Sequence, residues 1–496
     1  MDKSKTYMNE LAIGSVLLGA YRIEHVFTGG GMGVVYRARH LVWDIDLAIK
    51  HPRAKFLQSA EQRRDFVNEC ETWSSLGLHP YLATCFYTRE IGDVPCVIAE
   101  FAEGGALNDW IASKRIYAGE DAAVVARIVR VATAMAWGLD GAHQAGLIHC
   151  DMKPGNVLMA ADGMAKITDF GLAKVIAGKG GSTLEGWMSK PWASPEQMRQ
   201  EPLTFATDVW SWAVSVMEIF MGGIQWQSGP AAGAALEEFG ERGRKAVGLP
   251  TMPTAVFELL TRCLRSRPAD RPGFAEIAEE LREIYEDEFG EPCEAEKPDL
   301  ELLAADSFNN RAVSLLDIGR APDAEALLRQ ALALDPHHPE ATFNLTGICR
   351  SRNERNEPWA IQNLRTAADA EPGNPVPVKL LAQLFRITGK REDAKRCFDE
   401  AAKRAWTAAE KAEIEHMQRG GEGQQVSFVL AKPRSGSDFC ADLVRFRRLM
   451  DKAENAIAQR RIEDARRYVQ MSADMSGFGR HPRLRRVAER LQHSLS

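Results

Sequence analysis

Apolar and polar positions divide the chain into regions of different periodicity. Up to about Leu107, short apolar runs punctuated by glycines predict β-strands, and longer runs with helical spacing follow to about Tyr285. The acidic segment 286–304 contains Pro292 and Pro298 and little apolar surface, so we expect a solvated linker there. Beyond this segment helical spacing prevails, which predicts an all-α C-terminal part.

Composition narrows the class of protein. The 496 residues are 45% hydrophobic and 26% charged, which is typical of globular domains, and this length predicts roughly two to four of them. The net charge of −6 gives the whole chain no attraction for nucleic acid or for an anionic membrane. The most apolar helical stretch, 122–142, is interrupted by Arg127 and Arg130, so we do not expect it to span a bilayer.

The cysteines and the N-terminus indicate the compartment. Nine cysteines occur singly, without a C-x-x-C pair, which favours reduced, buried thiols over a zinc or disulfide site. The first residues, 1–5, are mostly polar and do not resemble a secretory signal. These features predict a cytoplasmic protein.

A glycine cluster, residues 28–33, lies between two strand-like segments near the N-terminus. Gly30 and Gly33 would let main-chain amides approach phosphates, because no Cβ atom intervenes. Taken alone, the cluster fits a simple turn equally well. Lys50 on a later strand-like segment adds a cation for phosphate, and Glu69 in the next helix-like run adds a carboxylate to keep that cation charged.

A second group of polar residues follows in the middle of the chain. Asp151, Lys153 and Asn156 lie within six positions, and Asp169 follows in an Asp-Phe-Gly triplet. Phosphoryl transfer requires a group that accepts or orients the attacking hydroxyl, cations that offset phosphate charge, and oxygen ligands for Mg²⁺. The set therefore predicts phosphoryl-transfer chemistry.

With these motifs, residues 13–285 resemble the eukaryotic-like serine/threonine protein kinases, and the glycine-rich run looks most like that of bacterial members. The resemblance implies an α+β fold of two lobes with ATP in the cleft, and Mg²⁺, or Mn²⁺ in its place, as the metal. It implies that Asp151 is the base or hydroxyl-orienting residue and that Lys153 neutralises the γ-phosphate. Asn156 and Asp169 match the family's metal-binding positions. The positions assigned to ATP binding are Thr28, Gly30, Gly33, Val35, Ala48, Lys50, Glu69, Glu100 and Phe101.

The resemblance extends to the substrate class and to the activation segment. Lys153 followed by proline resembles the serine/threonine subclass. The run Ala-Ser-Pro-Glu at 193–196 resembles the A-P-E end of the activation segment, which implies that Glu196 pairs with Arg271 and that Asp208 is a structural carboxylate. The implied reaction moves the γ-phosphoryl group of ATP to Ser or Thr of proteins, including this protein itself.

Two departures from the family pattern, and the residue at the gatekeeper position, change the expectations. Thr28 replaces the first loop glycine, which should lower nucleotide affinity or stiffen the loop. Cys150 stands where many members carry a phosphate-gripping arginine, so the sequence is of the non-RD type. We therefore expect activity to depend weakly on phosphorylation at Ser182 or Thr183, and a Ser182→Ala/Thr183→Ala variant that loses nearly all activity would refute this. Ala99, at the gatekeeper position, should leave a deep pocket behind adenine.

Two alternative functions remain. A pseudokinase-like scaffold, whose repeats recruit partners, would share the fold without transferring phosphate, but Lys50, Asp151 and Asp169 are all retained. A small-molecule kinase would share the carboxylates, but such enzymes lack the A-P-E-like segment with its Glu196 and Arg271 pairing.

Small residues recur at fixed spacing beyond the acidic segment. Three pairs of positions are separated by 70 residues: Gly319 and Gly389, Ala324 and Ala394, and Ala331 and Ala401. This equals two repeats of 34 plus two inserted residues, with the extra length of a middle copy at 350–357. The pattern resembles about three tetratricopeptide repeats over 305–404, which implies stacked helix pairs. We expect a docking surface for a protein partner or, alternatively, a stabilising or autoinhibitory appendage on the kinase domain.

The remaining segments complete the predicted organisation. An extension at 1–12 precedes the kinase domain at 13–285, and a linker with a Gly-rich joint covers 405–438. The last segment, 439–496, is basic and has helical spacing. Because no aromatic platform accompanies its arginines, we expect a solvated face or a contact with the acidic linker rather than nucleic-acid binding. The predicted partners are thus protein substrates, a docking partner on the repeats and a second copy of the chain, without a membrane.

Overall fold

The computed structural model describes residues 11–27, 33–41, 45–52, 59, 73, 76–91, 94–170, 174–175, 189–317, 319–405 and 408–419. Several predictions lie outside the described residues, namely those for Thr28, Gly30, Glu69, Ser182, Thr183 and the segments 420–438 and 439–496. The chain folds into two compact units. The first comprises Met1–Arg39 and Asp46–Pro298, and the second comprises His40–Ile45 and Asp299–Ser496.

A six-stranded sheet forms the N-terminal part of the first unit. Its strands, in the order β1-β2-β3-β4-β6-β5, are β1 (Val16–Leu17), β2 (Tyr21–Phe27), β3 (Gly33–His40), β4 (Ile45–Pro52), β5 (Cys85–Ile91) and β6 (Val94–Glu100). Strand β6 pairs antiparallel with both β4 and β5. In β4, Leu47 and Ile49 are buried whereas Ala48 and Lys50 are half-buried. Because successive side chains alternate between faces, β4 turns Lys50 away from its buried apolar side chains.

Helices are the main regular elements in the remaining described residues of the first unit. They are α1 (Leu107–Ala112), α2 (Asp121–Gln144), α3 (Pro195–Met198), α4 (Phe205–Met221), α5 (Ala232–Glu241), α6 (Thr254–Cys263) and α7 (Phe274–Phe289). Between α2 and α3, four short strands form two antiparallel pairs, β7 (Leu147–Ile148) with β10 (Lys174–Val175) and β8 (Val157–Met159) with β9 (Ala165–Ile167). The loops that connect these strands carry the predicted catalytic residues.

Helix α2 is the central helix of this unit and packs on α4, α7, β7 and β9. By length and composition alone it could cross a membrane, yet 72% of its most apolar window is buried inside the fold. Arg127, which was expected to interrupt the apolar stretch, donates to the carbonyl of Ile116 at 2.7 Å. The apolar character of α2 is therefore used to build the core.

The described residues of the second unit beyond Asp299 form helices. They are α8 (Leu300–Asp317), α9 (Ala321–Leu334), α10 (Pro339–Ser351), α11 (Glu357–Ala370), α12 (Pro375–Ile387), α13 (Arg391–Arg404) and α14 (Ala408–Arg419). Helices α8 and α9, α10 and α11, and α12 and α13 form successive packed pairs, and each pair contacts the next helix along the chain. The predicted α+β class with an all-α C-terminal region is confirmed.

The recurring alanines lie in the apolar cores of the helix pairs. Ala324, Ala331 and Ala401 are buried, and Ala394 is nearly so, between the two helices of their pairs and the neighbouring helices. Small side chains at these positions let helix axes approach closely, as repeat stacking requires. The 70-residue separation of these alanines in the sequence thus corresponds to equivalent buried positions in the first and third helix pairs.

The acidic segment 286–304 differs from the solvated linker that we expected. Helix α7 continues to Phe289, and beyond it Cys293 and Ala295 are completely buried, as is most of Leu303. The acidic side chains from Glu286 to Glu294 are exposed, whereas Cys293, Ala295 and Leu303 pack into the fold and Leu300 stays 37% exposed. The expectation was wrong because net charge does not report where the uncharged residues between the carboxylates point.

The predicted linker 405–438 begins with an additional helix. Helix α14 covers Ala408–Arg419, and its Ile414 is buried in a cluster with Val378, Phe398 and Ala401. The first part of this segment is therefore packed on the last helix pair, which a reading of glycine content alone did not show.

Candidate active site

Strand β4 presents the first of the predicted nucleotide-binding side chains. Ala48 lies opposite Ala99 of β6, and Lys50 lies opposite Val97. Because cross-strand neighbours share one face of a sheet, Ala48 and Ala99 line the face that carries Lys50. Val35 of β3 is half-buried. Two small side chains therefore lie on this face, and the deep pocket expected from Ala99 stays a prediction.

Gly33 has a structural reason to be glycine. A Cβ atom at this position would lie 2.5 Å from the carbonyl oxygen of His51 in β4. Side chains do not tolerate so short a contact with a main-chain atom, so the sheet itself requires glycine here. The sequence pattern assigned Gly33 to phosphate approach alone.

Glu100 and Phe101 occupy the end of β6. The Glu100 carboxylate is buried and accepts hydrogen bonds from Lys166 Nζ at 2.9 and 3.1 Å and from the amide of Thr84 at 3.2 Å. Because both carboxylate oxygens already accept hydrogen bonds, we expect Glu100 to contact a nucleotide through its main chain. The Phe101 ring lies 6.2 Å from that of Phe27, which ends β2.

Lys50 forms an ion pair with Asp169. Burial alone would raise the pKa of Asp169, but the charge and hydrogen bond of Lys50, with smaller contributions from His149 and Lys153, hold that pKa below its usual value. Asp169 is thus kept as a carboxylate. The predicted pairing of Lys50 with Glu69 concerns a residue outside the described ones, and the carboxylate that Lys50 contacts here is the predicted metal ligand.

Asp151 is held in a small network with Lys153 and Ser189. Lys153 Nζ donates to Asp151 Oδ2 and to Ser189 Oγ, each at 2.6 Å, and the Ser189 amide donates to Asp151 Oδ1 at 3.3 Å. One carboxylate is therefore fixed by a cation that is itself partly exposed. This is the arrangement needed to orient a hydroxyl and to balance charge on a transferred phosphoryl group.

The loop before Asp151 is fixed by the buried carboxylate of Asp208. Asp208 accepts hydrogen bonds from the amides of His149 at 2.7 Å and Cys150 at 2.9 Å, and it lies 2.8 Å from His143 Nε2. Cys150 has a φ of 67°, and its carbonyl accepts a hydrogen bond from Gln197 at 2.7 Å. A left-handed residue costs roughly 1 kcal/mol, which the Asp208 bonds offset. Asp208 thus has the predicted structural role.

Asn156 and Asp169 have the chemistry of a divalent-metal site. The Asn156 amide nitrogen donates to the Asp151 carbonyl at 2.8 Å, while its Oδ1 is buried and accepts no hydrogen bond from any described residue. A buried amide oxygen without a donor and a carboxylate kept ionised are hard oxygen ligands of the kind Mg²⁺ prefers. The residues present therefore fit the implied metal.

The end of the activation segment is anchored by a buried ion pair. Arg271 donates to both oxygens of Glu196, at 2.7 and 3.0 Å, and both side chains are fully buried. Ser194 caps α3 by accepting from the Gln197 amide at 3.3 Å. The predicted Glu196 and Arg271 pairing is present.

Three residues that support the site had no assignment in the sequence. Ser189 bonds Lys153, Lys166 neutralises Glu100, and Phe27 stacks near Phe101. Lys166 could have been found, because it lies between the apolar residues of β9 and must have a carboxylate partner if buried. Ser189 gives no such signal, because its partner lies 36 residues earlier in the chain.

Comparison with known proteins agrees with this geometry. Residues 21–281, more than half of the chain, match the family described as protein tyrosine and serine/threonine kinase. The matched range contains every described residue of the site.

The curated relatives that the chain matches are named as serine/threonine-protein kinases. The chain is 29% identical over 272 residues to the serine/threonine-protein kinase PrkC of Bacillus subtilis (strain 168), which is 54% of this chain and 41% of that protein. It is 31% identical over 267 residues to the serine/threonine-protein kinase PknA of Corynebacterium glutamicum, 51% of this chain and 54% of that protein. The match therefore spans about half the length of the relatives or less. The chain belongs to the protein tyrosine and serine/threonine kinase family.

Proposed function

We propose that this protein is a serine/threonine protein kinase that transfers the γ-phosphoryl group of Mg·ATP to Ser or Thr of protein substrates, and to itself. The observation that carries the proposal is the hydrogen-bonded network of Asp151, Lys153 and Ser189. It lies beside Asn156 and Asp169, whose side-chain oxygens fit a metal ion. The names of the bacterial relatives support the serine/threonine assignment.

The residues divide the reaction between them. Asp151 orients the substrate hydroxyl and accepts its proton as the hydroxyl oxygen forms a bond to the γ-phosphorus. The bond from that phosphorus to the β-γ bridging oxygen breaks, and ADP leaves. Lys153 offsets negative charge on the transferred group, and Lys50 orients the remaining phosphates. Mg²⁺, held by Asn156 and Asp169, would supply further neutralisation of phosphate charge.

We also propose the non-RD type of regulation. Cys150 is buried and its main chain is bonded to Asp208 and Gln197, so this position offers no cation to a phosphorylated activation segment. Weak dependence on Ser182 and Thr183 follows from that.

The helix pairs of the second unit support a docking or regulatory role. We propose that α8 to α13 are tetratricopeptide-like repeats, because three successive pairs recur with the spacing of that family. Their ligand would be a protein partner, which recruits substrate or restrains the kinase domain. The protein acts in the cytoplasm under this proposal.

Phosphate transfer from labelled Mg·ATP to the protein itself and to a generic basic protein tests the proposal. We expect Asp151→Asn to lower transfer about 10²- to 10⁴-fold. The matched control is Asp121→Asn, because the Asp121 side chain is 74% exposed at the start of α2.

Two outcomes would contradict the proposal. Transfer by Asp151→Asn at the wild-type rate would remove Asp151 from the reaction. Absence of transfer by the wild type, with ATP still bound, would favour the scaffold alternative.

A further inference from the structure

A strap, residues 291–297, runs from the end of α7 back along α2. Cys293 and Ala295 are fully buried, and Glu294 forms an ion pair with Arg130 of α2 at 2.6 Å. The ammonium group of Lys297 lies 5.7 Å from the centre of the Trp137 ring, also on α2. The strap is therefore packed, and the chain continues from it into α8.

The strap is bonded to a second segment, residues 79–84, which precedes β5. The Tyr81 hydroxyl donates to the carbonyl of Glu296 at 2.8 Å, and Tyr81 is only 2% exposed. Separating the two segments would leave the buried Tyr81 hydroxyl without an acceptor, which costs free energy because the hydroxyl is not hydrated. This hydrogen bond therefore holds the two segments together.

Segment 79–84 packs closely against two glycines of α2. A Cβ atom at Gly138 would lie 2.8 Å from the Tyr81 carbonyl, and one at Gly141 would lie 2.5 Å from His79 Nε2. Gly138 thus permits a main-chain approach of segment 79–84 to α2, and Gly141 leaves room for the His79 ring.

The same segment leads directly to the candidate metal ligand. The Ile167 amide donates to the Tyr81 carbonyl and the Ala83 amide donates to the Ile167 carbonyl, each at 2.8 Å. Ile167 ends β9 and lies two residues before Asp169. At its other end, the Thr84 carbonyl accepts from the Glu100 amide at 2.8 Å. The segment therefore bridges the ends of β6 and β9, where the nucleotide and its metal are proposed to bind.

We infer that the strap, through the bond from Tyr81 to Glu296, positions Asp169 for the metal–nucleotide complex. Tyr81 is thus a positioning residue, and it acts through segment 79–84 and β9. The inference rests on the proposed function only in taking Asp169 as a metal ligand.

Calorimetric titration of the full-length chain with ADP, once with saturating Mg²⁺ and once with a chelator, tests the inference. We expect Tyr81→Phe to weaken binding of Mg·ADP roughly three- to tenfold, the effect of one lost hydrogen bond, and to leave binding of metal-free ADP unchanged. In the transfer assay, the Mg²⁺ concentration for half-maximal rate should rise by the same factor.

Tyr285→Phe is the matched control. Its hydroxyl donates to Glu291 Oε1 at 3.3 Å, at the first residue of the strap and five residues before Glu296, whereas Glu294 lies two residues before Glu296 and pairs with Arg130 of α2. We expect its Mg·ADP affinity to equal that of the wild type. Glu294→Gln loosens the strap without changing segment 79–84, and we expect a smaller loss in the same direction as for Tyr81→Phe.

Equal losses in Tyr81→Phe and Tyr285→Phe, or none in Tyr81→Phe, would overturn the inference. If Tyr81→Phe does not fold, Glu294→Gln decides, and an unchanged Mg·ADP affinity in that variant overturns it. A wild type that binds Mg·ADP without transferring phosphate would contradict the proposed function and leave this comparison intact.

Discussion

The buried carboxyl group of Glu218 lies beneath the end of the activation segment. It accepts a hydrogen bond from Trp192 Nε1 at 2.9 Å, and Trp192 is four residues before Glu196. Burial raises the pKa of Glu218 to about 7, although the bond from Trp192 acts in the opposite direction. The folded protein therefore holds this proton to higher pH than the unfolded chain does.

This difference predicts a pH-dependent stability. Between the unfolded pKa of about 4.5 and the folded pKa of about 7, the folded state binds more protons, so stability contributed by Glu218 is present below this window and is lost as pH rises through it. Glu218→Gln removes the titration and keeps an acceptor for Trp192. We expect the variant to gain stability relative to the wild type between pH 5 and pH 8, by at most about 3 kcal/mol.

Thermal unfolding at several pH values measures this. Glu237→Gln, at an exposed position of α5, is the matched control and should show no such change. A difference between Glu218→Gln and the wild type that is the same at pH 5 and pH 8 would contradict the prediction.

For single residues, the sequence predicted the proposed catalytic and metal-binding side chains, but not the side chains that hold them in place. Asp151 and Asp169 were found because phosphoryl transfer demands their residue types in that order. Ser189 and Lys166 were missed because their roles depend on partners brought close by folding, the one at Lys153 and the other at Glu100. No local pattern encodes such a distance.

Among the elements, the turns within the three helix pairs are equivalent. Each has one residue with positive φ, namely Gly319 at 81°, Asn353 at 59° and Gly389 at 78°. In each, the next residue donates to a carbonyl five positions earlier, at 2.8, 2.9 and 2.8 Å. The middle copy thus uses asparagine where the others use glycine, because asparagine tolerates the left-handed region. The recurrence of glycine alone could not reveal this copy.

These turns give opposite expectations for two kinds of substitution. Gly319→Ala and Gly389→Ala place a Cβ in the left-handed region and should each destabilise the second unit by about 1 kcal/mol. Asn353→Gly removes a Cβ from the same conformation and should change stability by less than that. Chemical denaturation compares the three variants, and an Asn353→Gly variant that loses as much as the alanine variants would contradict the equivalence of the turns.

The two inserted residues of the middle repeat lie within 350–357, as the sequence indicated. One residue lies between Gly319 and the start of α9, whereas three lie between Asn353 and the start of α11. The two additional residues therefore enlarge a turn within 350–357 and leave the helices unchanged. Insertions at such a turn cost little, since they do not disturb packed positions.

At the scale of the whole molecule, two compact units predict two responses to ligand. A ligand that binds only the folded first unit raises the stability of that unit by about 2.7 kcal/mol at a hundredfold excess over its Kd. We expect Mg·ADP to shift one transition in differential scanning calorimetry upward and to leave a second unmoved. Gly389→Ala, as the matched perturbation, should lower only the second. A single transition that both changes move would show that the units unfold together.

The central position of α2 has a consequence for synthesis of the chain. Its apolar surface is covered by α4 and α7, and α7 ends at Phe289, 145 residues after α2 ends at Gln144. At translation rates of about 5 to 20 residues per second, the ribosome needs roughly 7 to 30 s to make the partners of α2. During that interval the nascent chain presents a helix with the length and hydropathy of a membrane span. Until those partners are made, the apolar surface of α2 is available to chaperones and to the membrane-targeting machinery.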